Sequence, residues 1–135
     1  MLSNQWTETN TPMNQKRVKH ACAMIDDDRI IVIGGWGENY KRLKTTEILN
    51  IKTRQWQSGP SLPTGLADGQ FVTASPGFKY LGYYVGGSGY DGHSFFIYGL
   101  TRDLNEFKVL GNIKIERSDH VAIQLAASIS DKCAH

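Results

Sequence analysis

Hydrophobic residues along the chain fall in short runs of roughly four to eight positions, rich in β-branched and aromatic side chains and bounded by Gly, Asp, Asn and Pro. Runs of that kind read as β-strands. No segment keeps a 3.6-residue apolar rhythm, so essentially no helix is expected. A first unit is predicted to hold strands near 20–25, 29–34, 45–51 and 54–58, and a second to repeat them near 69–74, 80–86, 94–100 and 105–110. The stretch from Val121 to Ala127 begins a third unit that is left unfinished. Turn residues mark the divisions: Asp26-Asp27-Asp28 and Ser75-Pro76-Gly77 each sit between two apolar runs, as in hairpins.

The pattern repeats. Gly34-Gly35 follows Ile30-Ile31-Val32-Ile33, and Gly86-Gly87 follows Tyr83-Tyr84-Val85, 52 residues later. A large aromatic recurs at Trp6, Trp56 and Phe107, in steps of 50 and 51 residues. Arg17-x-x-His20 returns as Arg117-x-x-His120 after 100 residues. Agreement of separate markers on one period identifies a repeat architecture built of four-stranded units.

Composition adds limits rather than a class. Fourteen glycines among 135 residues point to many tight turns, and 15 Lys and Arg against 13 Asp and Glu leave a formal charge of +2. That balance lacks the one-sided basicity of a dedicated nucleic-acid binder. Two cysteines, Cys22 and Cys133, make no disulfide framework, and residues Met1 to Met13 hold no apolar run, so a cytoplasmic location without membrane attachment is expected.

A strand ending in a glycine doublet, a Glu-containing strand, a tryptophan, and an Arg-x-x-His start together resemble the kelch repeat. The first unit carries Arg17, His20, Gly34, Gly35, Thr46-Glu47-Ile48, Trp56 and Leu62-Pro63. The second departs from the pattern: Phe107 stands for the tryptophan, Gly69 for the histidine, and Phe95-Phe96-Ile97-Tyr98 lacks the glutamate. The resemblance implies an all-β partial β-propeller, with two four-stranded antiparallel blades plus the start of a third. The division implied is an N-terminal segment at 1–19 with a remnant of a preceding blade, repeats at 20–63 and 64–114, and an incomplete repeat and tail at 115–135. Structural roles fall to Gly34, Gly35, Gly86 and Gly87 at strand ends, and to Trp56 and Phe107 as blade wedges. Glu47, mid-strand, needs a charge or donor beside it, and Arg17 is the candidate.

Two units cannot close a ring of about four to eight blades. The missing blades come from a longer chain or from self-association, or else the chain is a truncated product. In the kelch family, partners dock on the loops before the first strand and after the doublet. Carried over, these are Lys16 to His20 and Trp36 to Lys44 in the first unit, and Thr64 to Gly69 and Ser88 to His93 in the second. Candidate partner-binding residues are Lys16, Arg17, Lys19, Trp36, Glu38, Asn39, Tyr40, Lys41, Arg42 and Lys44, with Ser88, Tyr90, Asp91 and His93 from the second unit. Their cations favour an acidic segment of another protein, and Trp, Tyr and Arg together have the composition of interface hot spots. The resemblance implies a protein-interaction module, such as the substrate-docking part of a ubiquitin-ligase adaptor or an actin-binding kelch protein. The alternatives are an orphan fragment that self-assembles and a piece of a larger propeller enzyme. Catalytic residues, cofactor and metal are not expected: the four histidines and two cysteines show no ligand spacing, and neither glycine doublet opens a helix or precedes Lys-Ser/Thr.

Overall fold

The computed structural model describes residues 10–90, 92–93 and 96–113, with the side chains of 92 and 93 excepted. Trp6, Arg117, His120 and the unit begun at Val121 lie outside the described residues.

Strands β1 (Ala21–Met24), β2 (Arg29–Ile33), β3 (Thr46–Asn50) and β4 (Gln55–Ser58) form one antiparallel sheet in chain order. In the second unit β5 (Gln70–Thr73) and β6 (Tyr80–Val85) are followed by a ribbon, β7 (Ser88–Gly89) with β8 (Gly92–His93). Strands β9 (Phe96–Thr101) and β10 (Phe107–Asn112) then complete a sheet ordered β10-β9-β6-β5. The ribbon falls in what the sequence reads as plain loop, with Gly89 paired to Gly92. One turn of 3-10 helix, Glu38–Tyr40, is the only helical element among the described residues. The described residues are all-β, with two four-stranded antiparallel sheets laid out as the blades of a partial propeller.

Backbone conformation repeats as faithfully as sequence. Each doublet follows its second strand with left-handed glycines, φ 64° and 96° at Gly34-Gly35 and 70° and 97° at Gly86-Gly87. A side chain there would be strained, and a Cβ on Gly35 or Gly87 would also fall 2.7 Å from a carbonyl oxygen, Val18 or Ala67. Residues with side chains follow suit: Lys19 and Asp68 (φ 53° and 61°) hold matching left-handed positions in the two blades, and the turns after β3 and β9 each contain one left-handed residue, Arg54 (57°) and Leu104 (59°).

Register decides which faces meet. On the first blade Ala21 pairs with Ile33, and Ala23 with Ile31, which pairs in turn with Ile48, so these side chains share one face. On the second, Phe71 pairs with Tyr84, and Tyr84 with Tyr98; Leu100 pairs with Phe107. The two faces close on each other in a single core, joined by Leu62 and Leu66 of the connecting segment. Each large side chain so enclosed contributes about 1.5–3 kcal/mol of transfer free energy. Phe107 and Phe71 meet edge to face at 6.4 Å between ring centroids, filling the wedge between the blades.

Trp56 holds on the first blade the place that Phe107 holds on the second. It pairs with Leu49, which pairs with Ile30, and none of the three belongs to the interblade core. The indole lies on the opposite face, half-buried against the N-terminal segment, where its Nε1 donates to the Thr11 carbonyl at 2.9 Å. Trp56 pairs with Leu49 as Phe107 pairs with Leu100, so each aromatic covers the face its blade turns toward the chain that precedes it, the N-terminal segment for Trp56 and the first blade for Phe107.

Candidate functional site

The four loops identified from sequence gather at one end of the two blades. Within the first blade, Val18 and Trp36 exchange backbone hydrogen bonds of 2.8 and 2.9 Å; within the second, Ala67 and Ser88 do so at 3.1 and 2.7 Å. Between blades, Gly35 N–H donates to the Leu66 carbonyl at 2.8 Å, and Asp68 N–H to the Lys19 carbonyl at 3.1 Å. One continuous rim results.

Asp68 is its electrostatic centre, although the sequence reading gave it no role. Its carboxylate lies 3.0 Å from Lys19 Nζ and accepts from Ser88 Oγ at 3.1 Å and from Trp36 Nε1 at 3.4 Å. Partial burial pushes the carboxyl pKa up, but the bonds from Lys19, Ser88 and Trp36 outweigh it and hold the group below its usual range. The signal that could have found it is positional: Asp68 occupies the place Lys19 holds one blade earlier, with opposite charge.

Arg42 projects into the same rim. Its guanidinium carbon sits 4.1 Å from the Trp36 ring centroid and 5.7 Å from that of Tyr90, so rings from two blades flank one cation. The Tyr90 hydroxyl lies 3.5 Å from the Arg42 carbonyl oxygen. Lys16, Lys41 and Lys44 are exposed nearby in sequence, as are Glu38, Asn39 and Tyr40, the last 87% exposed. Lys16, Glu38, Asn39 and Lys41 line a groove of about 420 Å³ together with Asn14 and Gln15.

Two residues grouped with the rim are internal. The Arg17 side chain is 0% exposed: Nη1 donates to the Gly34 and Thr45 carbonyls, both at 2.9 Å, and Nη2 to Glu47 Oε2 at 3.0 Å. Glu47 in turn accepts from the Asn14 and Gln15 amides at 2.8 and 3.2 Å. A charge so enclosed can only persist when paired, so Arg17 ties the N-terminal segment to β3 and offers no surface to a partner. Ser88, also buried, orients Asp68. Asp91 lies outside the described residues, and His93 is described only by its backbone in β8.

The second blade departs from the first in compensating ways. Matching of Val18 with Ala67 and of the two doublets places Gly69 where His20 stands, and Tyr84 where Val32 stands. A Cβ on Gly69 would lie 2.6 Å from Tyr84 Cε1 and closer still to Cζ and Oη, so the missing histidine is the space the tyrosine ring fills. By the same matching Leu66 and Tyr98, both buried, replace the pair Arg17 and Glu47.

Residues 17–63 match the family model described as Kelch motif, a span that begins at Arg17 and ends at Pro63, after the first blade. The match supports a kelch-repeat assignment for the first blade, and the second, outside the matched span, is again a four-stranded antiparallel sheet. Kelch motifs are typical of β-propeller modules that bind other proteins. No curated protein matches the chain. Among the described residues no helix is long and apolar enough to cross a membrane.

Proposed function

We propose that the chain recognises another protein through the loop rim shared by its two blades, with preference for an acidic segment. The observation that carries this reading is the joining of loops from both blades into one surface, where Lys16, Lys41, Lys44 and Arg42 accompany Trp36, Tyr40 and Tyr90. Cations steer an acidic partner and set its orientation, while aromatic side chains supply contact area at low entropic cost. Substrate docking for a ubiquitin ligase, or attachment to actin, are cellular settings such a rim would serve, in a cytoplasmic protein. The test is titration of a deca-glutamate peptide against the chain and against a Lys41→Glu, Arg42→Glu variant. Binding that falls with salt and is abolished in the variant supports the reading; equal affinity and equal salt dependence refute it.

A second reading, association of copies into a closed ring, is favoured by one observation. Lys19 and Asp68 hold matching positions with opposite charge and already pair across the interblade junction at 3.0 Å. A second copy placed after the second blade would set its Lys19 beside Asp68 in the same geometry, over a face where Val72, Tyr83, Val85 and Ile97 are half-buried. Light scattering decides it: a discrete trimer or tetramer supports ring closure, and a monomer argues against it.

A further inference from the structure

We infer that Arg42 is the anchor of a carboxylate-binding slot built across the two blades, with Trp36 and Tyr90 as its walls. The inference rests on the proposal that a partner docks at this rim, and it names the group that the rim grips.

Arg42 differs from those cations that a carboxylate already holds. Arg17 is paired with Glu47, Lys19 with Asp68, Arg29 with Asp26, Lys52 with Asp28 and Lys108 with Glu106. Among the described residues no carboxylate pairs with Arg42 and no side-chain acceptor bonds it. Its Nε is buried without a hydrogen-bond partner, while the residue as a whole stays half-exposed. The charge therefore lies within reach of two π-systems, with no carboxylate beside it among the described residues.

Such a guanidinium is preorganised. The Trp36 ring 4.1 Å from the Arg42 guanidinium carbon and the buried Nε restrict its movement, so less rotamer freedom remains to be lost when a ligand binds. Trp36 is itself fixed, since its indole N–H donates to Asp68, which Lys19 and Ser88 hold in turn. Tyr90, 61% exposed, is the outer wall. A flat two-oxygen group lying edge-on to the terminal nitrogens accepts two parallel charge-assisted hydrogen bonds between the rings. A lysine ammonium has neither the plane for the stack nor the fork for the two bonds. A tetrahedral dianion would call on further cations, and Lys19, the cation on the Asp68 side, is already engaged.

The experiment titrates the full chain by calorimetry with an end-blocked deca-glutamate peptide, and separately with inorganic phosphate. Arg42→Lys keeps the charge and removes the fork, and is expected to weaken peptide binding about tenfold or more, the loss typical of a charge-assisted hydrogen bond. Tyr90→Ala, at an exposed position that does not threaten folding, is expected to weaken it severalfold, whereas Lys44→Ala changes it by less than about threefold. Peptide binding that is unchanged in Arg42→Lys and Tyr90→Ala overturns the slot but leaves the acidic-partner proposal standing. Absence of binding by the parent chain overturns both. Phosphate binding as tightly as the peptide shows a general oxyanion site and overturns the carboxylate assignment.

Discussion

Replacement of Gly69 by alanine tests how the second blade compensates for its missing histidine. The new Cβ would sit 2.6 Å from Tyr84 Cε1, and the tyrosine, 0% exposed in the middle of the core, has no solvent to swing into. Gly69 is not among the positive-φ glycines, so backbone strain does not confuse the result. Overpacking of a dense core costs about 1–3 kcal/mol, against which alanine regains about 0.4–1 kcal/mol from the unfolded chain. A net loss of about 1–2 kcal/mol is expected, read as a lower urea midpoint at unchanged slope. Tyr84→Val alone should cost about 3 kcal/mol, by analogy with large-to-small core changes. In that background Gly69→Ala should be close to neutral, and Gly69→His should be tolerated, since His20 and Val32 are the residues that stand at those positions in the first blade. The double-mutant cycle should therefore show coupling of about 1 kcal/mol or more. Coupling below about 0.5 kcal/mol, or a Gly69→Ala chain as stable as the parent, would mean that Tyr84 does not occupy the histidine's place.

Further expectations follow from the remaining contacts. Glu47→Gln leaves Arg17 charged, enclosed and unpaired, and should cost about 3–5 kcal/mol in thermal or urea unfolding. Arg17→Leu with Glu47→Tyr, which copies Leu66 and Tyr98 of the second blade, should recover most of that loss, and failure to recover any would contradict the blade matching. His20 is held below its ordinary 6.5 by burial, with the nearby Arg17 charge adding to the effect. The unfolded chain therefore binds more protons than the folded one as pH falls below 6.5, so stability present above that pH is lost through the fall to the lower folded pKa. A His20→Gln chain whose urea midpoint keeps the parent's full slope across that window would exclude the histidine as the cause. Asp68 gives a second window at lower pH: its depressed folded pKa stabilises the rim above the carboxyl's ordinary 3.8 and ceases to do so as the group protonates. Asp68→Asn should flatten that acid limb of the pH profile, and an unchanged limb would count against the Lys19, Ser88 and Trp36 bonds as its origin.

The repeat was legible because its markers answer to backbone requirements that few residue types meet. A doublet at φ near 64–70° and 96–97° demands glycine, and a turn of three aspartates announces itself by composition. Glu47 was also readable, since a carboxylate placed mid-strand among apolar residues must find a cation, and Arg17 supplies it at 3.0 Å. The consequence for Arg17 was harder to see: the partner that satisfies it also removes it from the rim. Trp56 and Phe107 were readable as one recurring position because each pairs with a leucine of the neighbouring strand, Leu49 or Leu100, on the same face of its blade. Lys19 and Asp68 adopt left-handed backbone without glycine, so composition carried no trace of it. The slot of Trp36, Arg42 and Tyr90 depends on how one blade is rotated against the next, a tertiary relation that no local pattern contains.

The account depends on the two blades behaving as one body with a single rim, and hydrogen exchange measures this at individual amides. Gly35 N–H and Asp68 N–H each bond across the junction, at 2.8 and 3.1 Å, whereas the amides of β2 and β3 bond within the first blade. Protection of Gly35 and Asp68 comparable to that of β2 and β3 is the predicted result. Exchange of the two junction amides at the open-chain rate, with β2 and β3 still protected, would show blades that part independently and would leave the shared binding rim without support.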